Sequence, residues 1–294
     1  MGLNGDKSSY YRLVVNITKA NSFQYQRSIT KTNLSYFQSP SQSCFDLTHY
    51  FITGASAGIG AAIATKLNKD KHHVSAVARR ADLLAAKQQA SDYFCGYQAD
   101  VRDADAIAAA VIDSVKTYGP IDVAILNAGI YVPQDGCQIS PSIYSEHMDV
   151  NYMGVVNGLA AIIPQMLDVG GGHIVIISSV AGWRGLPKAA AYAPTKAALI
   201  ALAESLYFDL TPKNIKIQIM CPGFVDTEAT AVNDFEMPDL LSAETAADHI
   251  ISGMQSDLFS HDFPKSFTRK LKLLKFLPDR LYFALVKKQT EAKF

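Results

Sequence analysis

Cysteine is scarce in this sequence. The four residues at positions 44, 95, 137 and 221 of the 294 show no paired metal-ligand spacing and no dense bridging pattern. A disulfide-stapled scaffold or a zinc module is thereby excluded, and a reducing compartment with free thiols is the expectation. Charge of one sign is also missing in excess: 27 Lys and Arg balance 27 Asp and Glu, which leaves no global field to attract nucleic acid. Nor is there a hydrophobic run suited to a bilayer. The longest uncharged stretch, 150–167, carries Asn151, Asn157, Pro164 and Gln165, costly groups in hydrocarbon, and reads as a buried amphipathic helix. The expected location is the cytoplasm.

With 49% apolar and 18% charged residues, the chain has the composition of a globular protein and the length of one large domain or two small ones. Residues 1–46 stand apart. They are rich in Ser, Asn, Gln and Tyr, basic, and without the periodic apolar face needed to fold alone, so a flexible, dispensable extension is expected. A transit peptide would need a sustained amphipathic helix, and a myristoylation signal would need Ser or Thr where Asp6 stands. The folded domain is expected over 47–260, followed by a basic tail over 261–294.

A strand candidate at 49–53 runs directly into Gly54-Ala-Ser56-Ala-Gly58-Ile59-Gly60 and then a helical pattern. Glycines between a strand and a helix N-terminus let the backbone approach a pyrophosphate, whose charge the helix dipole and free N–H groups favour. Further strands at 74–78, 93–98, 123–126, 173–177 and 215–220 alternate with helices at 81–91, 104–118, 142–166, 191–210 and 243–254. Such alternation predicts an α/β fold: a doubly wound parallel sheet of Rossmann type, in one domain with helices on both faces. Ligands of such sheets sit beyond the carboxyl ends of the strands, where Asp100, Asn127, Ser179 and Pro222 fall. The second strand ends at Arg79-Arg80 rather than at an acidic residue; arginine there can pair with a 2′-phosphate, which favours NADP over NAD.

Tyr192 and Lys196 are one helical turn apart, so both side chains can reach one point. A cation beside a phenol favours phenolate and is expected to lower its pKa from near 10 towards the range useful for proton transfer.

These motifs, together with Asn127-Ala128-Gly129, Asn151 and Pro222-Gly223 with Thr227, stand in the order and spacing of the short-chain dehydrogenase/reductase family, which the chain resembles over roughly residues 47–255 in its main single-domain branch. The resemblance implies an NAD(P)-dependent oxidoreductase acting on a carbonyl/alcohol pair, with Asn151, Ser179, Tyr192 and Lys196 as catalytic residues. Tyr192 would exchange the proton, Lys196 would lower its pKa and bind the nicotinamide ribose, and Ser179 would polarise the carbonyl. Asn151 would hold a relay water. The family's step from Ser to Tyr selects Ser179 over Ser178. Gly54, Ser56, Gly58, Ile59 and Gly60 would cradle the coenzyme with Arg79, Asp100, Val101, Asn127, Pro222, Gly223 and Thr227; no metal is implied. Ala57 stands where many NADP enzymes of the family have Lys or Arg.

The connection from Phe224 would be a substrate lid, and Phe224, Val225, Phe235, Met237, Trp183 and Leu186 would give an apolar pocket for a lipophilic substrate. From Lys265 the tail carries a formal excess of +7 with leucines and aromatics interleaved; it is expected either to pack across the lid or to lie on an anionic membrane surface. Long apolar-faced helices point to a homodimer or homotetramer. The competing reading is a non-catalytic dinucleotide sensor or membrane-surface scaffold, and RNA binding by the tail lacks stacking platforms on a sheet.

Overall fold

The computed structural model describes residues 47–233 and 236–291; the expected extension 1–46 and the pocket residue Phe235 lie outside them. The described residues build one seven-stranded sheet in the order β3-β2-β1-β4-β5-β6-β7, parallel throughout. The strands are β1 (His49–Thr53), β2 (His73–Ala78), β3 (Phe94–Gln98), β4 (Val123–Leu126), β5 (Gly172–Ile177), β6 (Ile215–Pro222) and β7 (Ser260–Phe263). Central strands read as near-continuous apolar runs because both faces are covered; Ile174, Val175, Ile176 and Ile177 are all buried.

Helices α1 (Gly58–Lys69), α2 (Ala81–Gln88) and, far along the chain, α7 (Ala243–Met254) cover one face, where Ile63, Leu67, Leu84 and Ile250 meet Ile52 and Val175. On the other lie α3 (Ala104–Tyr118), α5 (Gly154–Val169) and α6 (Tyr192–Leu210), burying Ile107, Leu159, Ile162 and Leu199 against Phe51, Leu126 and Ile176. Cys95, Cys137 and Cys221 are free thiols.

The helix expected over 142–166 is divided. Helix α4 (Pro141–Met148) passes into one wide i→i+5 turn, Asp149–Met153, before α5 begins; such turns insert an extra residue and recur at functional sites. Gly154 follows because a Cβ there would lie 2.6 Å from Val101 Cγ2. By length and composition alone the stretch Pro141–Val169 could cross a membrane, yet its Leu159, Ile162 and Met166 are buried in the sheet's core.

The boundary expected after residue 260 falls inside β7, which pairs with β6. Behind it, α8 (Lys265–Lys275) and α9 (Asp279–Glu291) pack back on the domain. Buried Asp262 accepts from Lys272 and pairs with Lys265 at 3.2 Å. Burial alone would raise the Asp262 pKa, but Lys272, Thr268 and Lys265 outweigh it and hold the carboxyl below its usual range. A second tie comes from Arg184, which donates to the carbonyls of Leu274 (3.1 Å), Lys275 (3.2 Å) and Leu277 (2.8 Å) and to the Asp279 carboxylate (2.5 Å), and lies over the Tyr282 ring at 3.8 Å. Tyr282 in turn donates to the Gly185 carbonyl at 2.6 Å. Removing the buried acid by Asp262→Ala should cost about 1–3 kcal/mol, since both lysines can turn to water, and should make the tail helices the first site of limited trypsin cleavage. Cleavage at the wild-type rate and place would show that Asp262 does not hold the tail.

Candidate active site

Strand β5 delivers Ser178 and Ser179 to the carboxyl rim, and a short turn, Val180–Gly182, carries the chain towards α6. Gly182 is required there: a Cβ would lie 2.7 Å from the Lys196 carbonyl carbon. Two bonds then lock strand end to helix start. Ser178 Oγ donates to the Lys196 carbonyl at 2.8 Å, and Lys196 Nζ donates to the Ile177 carbonyl at 2.9 Å. Ser178 Oγ is thus spent on structure, while Ser179 Oγ accepts from the Ala181 N–H at 3.1 Å and donates to the Pro222 carbonyl at 3.5 Å; both serines border a cavity of about 770 Å³. Tyr192 and Lys196 line the same cavity, with Tyr131 edge-on to the Tyr192 ring at 5.2 Å between centroids.

Asn151 stands behind this wall, fully buried in the wide turn. Its Oδ1 accepts from the Ile130 N–H at 2.7 Å, while Nδ2 donates to the Ile130 carbonyl at 3.0 Å and to Thr195 Oγ1 at 3.1 Å. Both amide donors are used by protein, so only an Oδ1 lone pair remains for a water. A Cβ on Gly129 would lie 3.2 Å from Asn151 Oδ1 and 3.6 Å from Lys196 Nζ, which places both atoms near one point beside this glycine.

The electrostatics correct one expectation. Lys196 is expected to lower the phenol pKa, but burial pushes Tyr192 up to about 12, and the Ser179 hydroxyl offsets only part of that. The ammonium is 5.6 Å from the ring centroid and bonded to a carbonyl, too committed to outweigh desolvation. Burial likewise drives Lys196 itself down to about 8.

At the other end of the cavity Gly54 (φ +69°) and Gly58 (φ +54°) adopt backbone that L side chains avoid, and α1 starts without a side-chain cap at Ala57. Ser56, Ile59, Arg79, Asp100, Val101, Asn127, Pro222, Gly223 and Thr227 all border the same space. Gly60 does not: a Cβ there would lie 2.4 Å from the Gly54 carbonyl oxygen, so its role is packing. Asn127 Nδ2 donates to the carbonyls of Thr53 (3.1 Å) and Gly54 (3.3 Å), joining the ends of β1 and β4. Asp100 is held low in pKa chiefly by its bond to Arg102. Arg80 makes contacts that single out this second arginine: it donates to Ser56 Oγ at 3.2 Å and to both Glu228 oxygens at 3.1 and 3.0 Å.

The apolar end is partly as expected. Phe224, Val225 and Leu186 border the cavity; Trp183 packs on the core beneath Lys272, and Met237 is contacted by the Asn233 amide, so neither lines it. Tyr131, Phe267, Leu271, Leu274 and Val286 line it instead. Among the described residues, no cluster of three or more His, Cys, Asp or Glu is placed to hold a metal.

Residues 48–236 match the family model for short chain dehydrogenase. The chain belongs to the short-chain dehydrogenase family. An uncharacterized oxidoreductase from Myxococcus xanthus is 32% identical over 241 residues, 81% of this chain and 95% of that one. The fold matches a short chain dehydrogenase from Burkholderia cenocepacia in complex with NADP (TM-score 0.70, 22% identity, 80% of this chain and 95% of that one). It also matches a Burkholderia phymatum family member in complex with NAD (TM-score 0.70, 23% identity, 78% and 93%). The chain is therefore an oxidoreductase, NAD(P)-dependent as a member of this family.

In the dehydrogenase, Lys196 is a buried cation whose pKa lies well below its unfolded value. Its protonation opposes folding fully below about pH 8, and the penalty disappears as pH rises towards the unfolded pKa near 10.5. Lys196→Met should therefore stabilise the protein at pH 7 by about 1–2 kcal/mol after loss of the Ile177 bond is counted, with a gain that shrinks above pH 8. Denaturant melts at pH 7 and 9.5 check this; destabilisation of the variant at pH 7 would contradict it.

Proposed function

We propose that this dehydrogenase reduces a lipophilic ketone or aldehyde at the expense of NADPH, with Tyr192 as the proton donor. The observation that carries the reading is a partly buried phenol of raised pKa that shares one cavity with the Ser179 hydroxyl and the Lys196 ammonium. A phenol that stays protonated at neutral pH is in the form that gives a proton to an oxyanion, whereas alcohol oxidation needs the phenolate, which favours the reductive direction. The apolar walls from Leu186, Phe224, Phe267 and Leu271 favour a lipophilic substrate.

A nicotinamide dinucleotide, when bound, supplies the hydride that adds to the carbonyl carbon. The glycines of positive φ and the uncapped start of α1 fit its phosphates. On the protein side, Ser179 Oγ would donate to the carbonyl oxygen and stabilise the charge that develops there. The Tyr192 O–H would then break as its proton passes to that oxygen. The resulting phenolate would be stabilised by the nearby ammonium of Lys196, which is predominantly charged below about pH 8. Asn151 would act chiefly as a clamp, holding Ile130 and Thr195 so that Lys196 faces the phenol. Exposed Leu167 and Val169 at the end of α5, with Tyr207 and Phe208 at the end of α6, support a homodimer or homotetramer built on these helices.

Tyr192→Phe tests the chemistry. It should lower kcat by about 10²–10⁴-fold while coenzyme binding, read by fluorescence titration, changes little. Turnover at the wild-type level would remove Tyr192 from the mechanism.

The coenzyme choice turns on Arg80 and Glu228. Both are largely exposed, and their ion pair lies beside Ser56 at the rim of the glycine cradle. Arg80 can bind a 2′-phosphate only by loosening its hold on Glu228, which would also repel that phosphate. Glu228→Ala should tighten NADPH and 2′,5′-ADP about two- to fivefold, as expected for an exposed pair, and leave NADH and ADP unchanged. An equal change for both sets would mean that the 2′-phosphate does not meet Arg80.

A further inference from the structure

The tail helices have two apolar faces and only one is used. Towards the cavity they turn Phe267, Leu271, Leu274 and Val286. Outward they expose Leu273 (73%), Phe276 (82%), Leu281, Phe283 (63%) and Leu285. On α9 the arc from Leu281 through Tyr282 to Phe283 is apolar, but only its middle is covered; Tyr282 is buried and its neighbours on both sides are open. Around these residues stand exposed Arg269, Lys270, Lys275, Arg280 and Lys288. In a chain of net charge zero, this concentrates positive charge and exposed hydrocarbon on one small element at the roof of the active-site cavity.

We infer that this outer face of α8 and α9 is a docking surface for an anionic lipid bilayer, through which a lipophilic substrate enters the cavity. An interfacial helix needs an apolar side to sink below the headgroups and basic residues at its edge to meet acidic lipids; α8 and α9 supply both, and their cavity-lining residues continue the apolar path inwards. A second copy of the chain is a poorer occupant, because two such faces would bring like charges together. The ties from Asp262 and Arg184 hold the helices to the domain, so docking orients the cavity mouth and does not simply tether the protein. The entry route rests on the carbonyl reductase reading; membrane docking does not.

The full chain and a Leu273→Ser/Phe276→Ser/Phe283→Ser variant, changed only at exposed positions, are compared by flotation with phosphatidylcholine vesicles with and without phosphatidylserine. The wild type should float with the acidic vesicles, less so at high salt, and the variant should partition at least about tenfold more weakly. Mass by light scattering and turnover of a water-soluble ketone should not change. Absence of wild-type flotation, equal flotation of the two proteins, or a loss accompanied by a lower oligomeric mass would overturn the inference, the last by assigning the face to a second copy. Flotation as described without turnover of any carbonyl would instead refute the catalytic reading alone.

Discussion

The reciprocal bonds between the end of β5 and the first turns of α6 are the constraint on which the site depends. Ser178 reaches forward to the Lys196 carbonyl, and Lys196 reaches back to the Ile177 carbonyl. Neither is strong by itself, about 1 kcal/mol net for a neutral bond and somewhat more for the charged one. Their importance is geometric, because they fix the helix that carries Tyr192 to the strand end that carries Ser179. Gly182 permits the approach, and Thr195 extends the bracing to Asn151. The cost is a buried lysine. Burial lowers its pKa, so its charge at neutral pH is held against a desolvation cost.

A second linkage, of longer range, closes the cavity. Arg184 lies only five residues beyond Ser179, yet it satisfies the last carbonyls of α8 and the acidic start of α9. Helix ends leave such carbonyls without partners, so one guanidinium both caps α8 and sets the angle of the roof above Tyr192. A planar fork of five donors suits this multiple contact, and a lysine could not reproduce it.

The sheet was legible in the sequence because its strands are buried on both sides and interrupted by helices of ordinary length. Their predicted limits differ from the structure by a residue or two. Strand β7 was not legible: Ser260, His261 and Asp262 are polar, and an edge strand with a single neighbour needs no apolar run. Within the predicted helix over 142–166, hydrophobic periodicity could not reveal the wide turn, which adds one residue without changing composition. The Tyr192–Lys196 spacing located the pair but not its electrostatics, since burial is a property of the whole fold. Arg80 with Glu228 and Arg184 with Asp279 join residues far apart in sequence, and no local pattern could show them. Trp183 was expected in the pocket beside Leu186; Leu186 borders the cavity, while Trp183 packs on the core.

The cavity's apolar character and the raised pKa of the Tyr192 phenol have one physical cause. Phe224, Phe267, Leu271 and Leu274 line the same cavity as Tyr192, and a phenolate withdrawn from water is costly, so burial raises the phenol's pKa. A more polar roof would bring the phenol back towards its ordinary pKa and raise the fraction present as phenolate at a given pH. The tail helices supply three of those four residues. The fold thus brings residues more than 70 positions beyond Tyr192 in sequence to the cavity that this tyrosine lines.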